Sequence, residues 1–220
     1  MTRRTGLIDN AVDTLRERIT VGTWPVGTRI PPEPALVELL GVGRNTVREA
    51  VQSLVHAGLL ARRQGSGTYV LSSSELAVTM GRQIADARQR DVVEVRRSLE
   101  VEAARLAARR HTPTDVALLL QLRDERAAAY AIGDLDLMVS TDLGLHVAIA
   151  RASHNPVLLS LYESLVDAIS ENIRFNFERP VRDEVGAMGH DELVAAIAAG
   201  EEELAMTEIE TYLSHVIDRD

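Results

Sequence analysis

The sequence predicts a mainly α protein in two parts, an N-terminal winged helix-turn-helix and a C-terminal all-α helical bundle. Three observations carry that expectation. Apolar residues recur at helical spacing through most of the 220 residues, the pattern that gives a helix one apolar face. One stretch breaks it: LLARRQGSGTYVL (59–71) has two extended runs around Gly65-Ser66-Gly67, a hairpin signal. The charge is divided as well. Residues 1–72 hold nine Arg against six Asp and Glu, while the remainder is strongly acidic in a chain of formal net charge −9. A basic segment joined to an acidic remainder suits a protein whose first part alone meets a polyanion.

Taken in order, Leu7, Ile8, Ala11, Val12, Leu15 and Ile19 form one face of a first helix that stops at Gly22. GTWPVGTRIPPEP, dense in Gly and Pro, reads as an ordered turn or loop. Ala35–Leu40 is a short second helix, with Gly41 as the turn into the next. That third helix lies within LLGVGRNTVREAVQSLVHAGLL (39–60), where Val47, Val51, Leu54 and Val55 are the apolar face and Ala57-Gly58 the stop. SSSE (72–75) reads as a linker, giving a winged-helix domain at 1–72, a linker at 73–75 and a helical domain at 76–220. In the second part Asp91–Arg110 is a helix, and Thr112-Pro113 caps the next, with Pro in its first position. Asp134–Ala152 follows, Asn155-Pro156 caps a helix reaching about Phe177, and two more flank Gly200.

With no cysteine, disulfides and thiolate metal sites are excluded. No apolar run has the length of a membrane span, and MTRRTGLIDN lacks a signal-peptide apolar region, so a cytoplasmic protein without membrane contact is expected. All the positive charge is arginine, the side chain suited to bidentate contact with phosphate and guanine.

In a helix-turn-helix the second helix enters the major groove and its first turn touches base edges. Arg44 and Arg48 are therefore candidates for guanine or phosphate, Asn45 for adenine or phosphate, and Thr46 for phosphate or a thymine methyl. Gln64 and Gly65, at the wing tip, are placed to reach the minor groove or the backbone. The competing reading, solvated helix charges, suits an isolated pair of arginines better than one set between a turn glycine and a wing.

GTWPVGTRIPPEPALVELLGVGRNTVREAVQSLVHAGLLARRQGSGTYV resembles the N-terminal domain of the GntR family of bacterial transcription regulators. The likeness runs over nearly all of the first domain. Two positions depart from the family pattern. Pro34 stands where relatives commonly carry an arginine or similar polar residue that contacts DNA, and Gly43 replaces the usual serine or threonine. Glycine still caps a helix, but the hydroxyl contact to phosphate is lost. In the second half DVVEVRRSLEVEAARLAARR, DLGLHVAIARASHNPVL and GHDELVAAIAAGE resemble segments of the FCD effector domain of the FadR-like branch.

The residues themselves point to a polar interior. Asp142 and His146 occupy core positions of the stripe Leu135, Met138, Asp142, His146, Ile149. His190 shares a face with Leu193, Val194 and Ile197. Arg96 lies on Val92, Arg96, Leu99, Ala103, Leu106, and Asn172 on Leu158, Leu161, Leu165, Ile169, Asn172. Five polar groups aimed into one bundle imply a cavity, because buried polar groups need partners. Asp and His at i, i+4 with a distant His make a divalent metal site of carboxylate and imidazole, suited to zinc, nickel or manganese. The alternative is a satisfied polar core without metal.

The FCD resemblance implies one Asp and three His as ligands, of which Asp142, His146 and His190 match three. In the register of the last histidine the chain has Tyr212-Leu213, so the fourth position is Tyr212 or His215. Helical geometry turns His215 roughly 80° from the Ala205–Ile209–Tyr212–Val216 stripe. Arg96 resembles the family arginine near the effector cavity, with Asn172 alongside. Its alternative is an internal ion pair with Glu171 or Asp142.

The expected function is a metabolite-responsive transcription regulator and not an enzyme: a repressor that binds double-stranded DNA at a short inverted repeat as a homodimer. A small carboxylate effector, with the metal, would modulate it. Two alternatives stand beside it, a metal-dependent enzyme centred on Asp142, His146 and His190, and a constitutive DNA-binding protein with a degenerate effector site.

Overall fold

The computed structural model describes residues 2–84, 87–178 and 190–217, with side chains at 6–84, 87–174 and 190–214. By packing, the chain divides into two units, residues 1–80 and 81–220.

In the first unit α1 (Thr2–Thr20), α2 (Glu33–Leu40) and α3 (Arg44–His56) precede β1 (Leu60–Arg63) and β2 (Gly67–Val70). Ala11, Val12, Leu15 and Ile19 bury one face of α1 against Val47, Ala50, Val51 and Leu54 of α3. Leu7, expected on that face, is 48% exposed. Gly41 ends α2 in the left-handed region (φ 62°), its N–H reaching Val37 O at 3.0 Å. That conformation suits glycine and makes the tight turn between α2 and α3. β1 and β2 pair antiparallel with Leu60 opposite Val70 and Arg63 opposite Gly67. The Gly- and Pro-rich loop is ordered by hydrogen bonds to β2, Ile30 N–H to Thr68 O and Val70 N–H to Thr28 O, both 2.9 Å. Helix, helix, helix and hairpin around one apolar core is a winged helix-turn-helix.

The stretch expected as a linker leads directly into α4 (Glu75–Ile84), whose start is capped by Ser74 Oγ accepting from Ala77 N–H at 3.2 Å. The division at 80/81 falls inside this helix.

The second unit holds α5 (Gln89–Arg110), α6 (Pro113–Ile132), α7 (Leu135–Ala152), α8 (Pro156–Ser164), α9 (Val166–Glu178), α10 (Asp191–Ala199) and α11 (Glu202–Ile217). α5 lies at the centre, packed on α7, α9, α10 and α11. Thr112 opens α6 with a capping box: its side chain accepts from Asp115 N–H while Asp115 accepts from Thr112 N–H. Asp134 and Asn155 cap α7 and α8 with their own side chains.

Two helical expectations need correction. The helix from Asn155-Pro156 does not run unbroken to about Phe177; it breaks at Leu165, whose N–H bonds Tyr162 O at 3.0 Å, three residues back. That tighter turn goes with a changed inward face: Tyr162 is fully buried, whereas Leu161, expected there, is 40% exposed. On α5 the buried face is Val93, Arg96, Glu100, Ala103, Ala104, Leu106 and Ala107, so Val92 and Leu99 sit beside the core and Glu100 enters it.

Candidate metal centre and nucleic-acid interface

α3 presents Arg44, Asn45 and Arg48 to solvent, with Thr46 half-buried. Gly43 caps α3 through its extended backbone and without a side-chain hydrogen bond. Gln64 and Gly65 are exposed at the turn of the β1–β2 hairpin, where Gly65 has φ 74°. Arg48 Nε donates to Glu33 Oε2 of α2 at 2.9 Å. The structure therefore leaves Arg44, Asn45, Arg48, Gln64 and Gly65 exposed, as a nucleic-acid contact requires.

In the second unit the polar interior expected from the sequence is real, and it is denser than expected. Arg96, Glu100, Arg126, Asp142, His146, Asn172 and His190 are all buried. α7 supplies Asp142 and His146 one turn apart. His190 stands at the N-cap of α10 rather than within the helix, with φ −84° and ψ 25°. The candidate ligand atoms of Asp142, His146 and His190 lie within 4.8 Å of one another. His146 Nε2 and His190 Nε2 are 3.0 Å apart, and His146 Nε2 is 3.8 Å from Asp142 Oδ2.

Two arginines and a second carboxylate surround this trio. Arg126 Nε donates to Asp142 Oδ1 at 2.6 Å, and its Nη2 to Tyr130 Oη at 3.0 Å. Arg96 Nε donates to Glu100 Oε1 at 2.6 Å, the oxygen that also accepts from Tyr162 Oη at 2.7 Å. Arg96 Nη2 is 3.9 Å from Asp142 Oδ2, an ion-pair distance only. Its terminal nitrogens Nη1 and Nη2 are buried with no hydrogen-bond partner among the described residues. Of the two internal partners expected for Arg96, Asp142 is at ion-pair distance and Glu171 is exposed, while the closest partner is Glu100.

The electrostatics follow from this arrangement. Burial would raise the Glu100 carboxyl, but Arg96, then His146, override it and hold it at about 2. Burial likewise opposes ionisation of Asp142, yet His146, Arg126, His190 and Arg96 hold it well below the usual carboxylate range. Burial, with Arg126 and His146 nearby, pushes His190 well below the ordinary imidazole value, so the ring is neutral. Burial and then Asp142 push the Tyr212 phenol up to about 12.

These residues fit a divalent cation. A metal ligand must be deprotonated, as Asp142 and His190 are. With Oδ1 of Asp142 occupied by Arg126, Oδ2 is the oxygen left toward the histidines. His146 Nδ1 lies 3.1 Å from Glu100 Oε2, near it although not aligned as a hydrogen bond. A carboxylate on that side of an imidazole would, on accepting the ring N–H, hold the ring and leave Nε2 for a metal. Of the two fourth positions considered, Tyr212 is buried with Oη 3.4 Å from Asp142 Oδ2, and the side chain of His215 lies outside the described residues. Asn172 donates to Gln89 Oε1 at 2.9 Å, two helical turns along α5 from Arg96.

A winged helix-turn-helix followed by a helical unit with a polar, charge-lined interior is the architecture of a DNA-binding regulator. Residues 7–70 match the bacterial regulatory proteins of the gntR family, and residues 91–215 match the FCD domain. The chain belongs to the GntR family and carries an FCD domain. It is a transcriptional regulator of that type, and its family and relatives are regulators rather than enzymes. It is 31% identical to the Escherichia coli (strain K12) "Putative L-lactate dehydrogenase operon regulatory protein", over 96% of this chain and 84% of that protein. It is 29% identical to the HTH-type transcriptional regulator LutR of Bacillus subtilis (strain 168), over 90% of this chain and 93% of LutR. Among solved structures it resembles Streptococcus agalactiae GntR, with a TM-score of 0.67, 29% identity, and 97% of this chain matched to 100% of that one. Among the described residues no helix is long and apolar enough to cross a membrane.

Proposed function

We propose that the protein is a repressor that binds an inverted-repeat operator as a homodimer and releases it when a small carboxylate enters the helical unit. In this reading Arg44, Asn45, Thr46 and Arg48 meet base edges and phosphates, and Gln64 and Gly65 meet the groove or backbone beside them. One winged helix offers few base contacts, and two related by a two-fold axis match a palindrome. A regulator of this kind acts where the bacterial chromosome is, in the cytoplasm.

One observation carries the effector reading: Arg96 is buried with Nη1 and Nη2 lacking hydrogen bonds among the described residues, beside the Asp142, His146 and His190 donors. Buried donors without partners cost free energy, and a carboxylate answers a guanidinium in two parallel hydrogen bonds. The charges agree. Arg96 and Arg126 balance Glu100 and Asp142, so a divalent cation leaves the interior positive and favours an anion. Asp142, His146 and His190 would hold the cation, which supplies a Lewis-acidic centre for the effector's oxygens. Glu100 orients His146 and holds Arg96, and Arg126 fixes which oxygen of Asp142 is presented. A relative named for an L-lactate dehydrogenase operon makes L-lactate the first effector to try.

The test is melting temperature and operator affinity with L-lactate and related acids, with and without zinc, nickel or manganese, on wild type and Arg96→Ala. An acid that stabilises wild type and weakens operator binding is expected, with Arg96→Ala still binding DNA and no longer responding. A stable Arg96→Ala protein that still releases DNA on adding the acid would leave the effector site without its anchor.

A further inference from the structure

The donor set borders one aromatic side chain that the reading above leaves without a role. Tyr212, on α11, is buried. Its ring stacks on His146 at 5.8 Å and 29° and meets His190 edge-on at 4.6 Å and 73°. Its hydroxyl lies 3.4 Å from Asp142 Oδ2, and Arg96 Cζ is 5.8 Å from the ring centroid. One side chain therefore borders all three candidate ligands and the Arg96 guanidinium. Its position is also competitive. Because Arg126 already takes Asp142 Oδ1, the phenol engages the Asp142 oxygen that remains to face the histidines.

We propose that Tyr212 limits this site to three protein donors and so sets what the site holds. It hydrogen-bonds Asp142 Oδ2 and walls the donor set on the α11 side, leaving a bound cation's remaining coordination to an anion on the Arg96 side. This rests on the metal reading given above. A site with three protein ligands keeps a position open for a small molecule, whereas a fourth protein ligand closes it. Exchanging the phenol for an imidazole would supply that fourth donor, and removing the hydroxyl alone would free Oδ2 without adding one. Tyr212 is thus a positioning and selectivity residue.

The experiment is a Co2+ titration of full-length wild type, Tyr212→Phe and Tyr212→His. It is followed by visible absorption and metal content, with L-lactate as the anionic probe and melting temperature as the control for folding. Wild type should take up Co2+ and change its absorption band on adding L-lactate. Tyr212→Phe should bind Co2+ a few-fold more tightly and keep the L-lactate response. Tyr212→His should bind it about 10–100-fold more tightly, the scale by which site-tuning residues move metal affinity, and lose most of the L-lactate-induced change. A folded Tyr212→His protein with wild-type Co2+ affinity overturns the inference. If that variant does not fold, unchanged Co2+ affinity in Tyr212→Phe overturns it. Should L-lactate leave the wild-type band unchanged, the affinities alone decide. Wild type without Co2+ beside a Tyr212→His protein that binds it would refute the metal reading of the wild-type site and uphold Tyr212 as the limiting residue. No Co2+ in either refutes both.

Discussion

The arginines of α3 and the two arginines of the bundle's buried network stand in opposite environments. On α3, Arg44 and Arg48 stand in solvent, and the ion pair of Arg48 with Glu33 joins side chains 64% and 40% exposed. In the bundle, Arg96 and Arg126 are buried with Glu100 and Asp142. An exposed arginine keeps its hydration until a phosphate or base replaces it, so it adds little to stability and is available for recognition. A buried arginine has already lost its water and depends on every neighbour that answers its charge. The first arrangement binds by encounter with a surface; the second makes the fold itself depend on the same groups that would receive a ligand.

The largest expected effect separates these environments on the stability axis. Glu100→Ala strands the Arg96 guanidinium and should destabilise the bundle by about 3–5 kcal/mol, read by chemical denaturation. A loss below about 1 kcal/mol would mean that water or rearrangement compensates Arg96, and the contrast with α3 would fail.

Next comes recognition. Arg44→Ala and Arg48→Ala should each weaken operator binding by about 1–3 kcal/mol if the arginine reads a guanine, with melting temperature unchanged. Affinity should also fall steeply with salt as phosphate contacts release counterions. A fluorescence titration with unaltered affinity in both variants would break the assignment of this face to DNA.

A capping interaction should give an intermediate effect within the bundle's rim. The hydrogen bond from Thr112, then that from His154, holds the Asp115 carboxyl at about 2, below its ordinary 3.8. The folded-state value is depressed, so this stabilisation is present above about pH 4 and is lost as pH falls toward 2. Thr112→Ala should cost about 1 kcal/mol at neutral pH, with the difference from wild type shrinking on acidification over that window. A pH-independent difference would show that the cap acts without the carboxylate.

The smallest effect returns to the surface. Glu33→Gln removes an exposed ion pair and should change stability by no more than about 0.2–1 kcal/mol. A shift as large as that of Glu100→Ala would erase the distinction between the two units.

The sequence by itself determined the helix-turn-helix-wing order, the caps at Thr112, Asp134 and Asn155, and the inward direction of Asp142, His146 and His190. These rest on local rules: periodicity, cap chemistry, turn glycines and i, i+4 spacing. Tertiary structure alone decided the partners. Arg96 lies on an α5 face rich in alanine, where the inward stripe can be drawn through Leu99 or through Glu100 with equal periodicity; packing against α7 and α11 selected Glu100. Arg126 sits among Arg123, Asp124 and Glu125, with no local sign that its charge would turn inward to Asp142. The break at Leu165 that buries Tyr162 in place of Leu161 was equally silent, because the hydroxyl that rewards it is Tyr162's bond to Glu100, 62 residues away in the chain. Burial raises the cost of an unpaired charge far above any local preference, so the side chains that complete a buried network are chosen by which helices meet, and that choice is not written in any one helix.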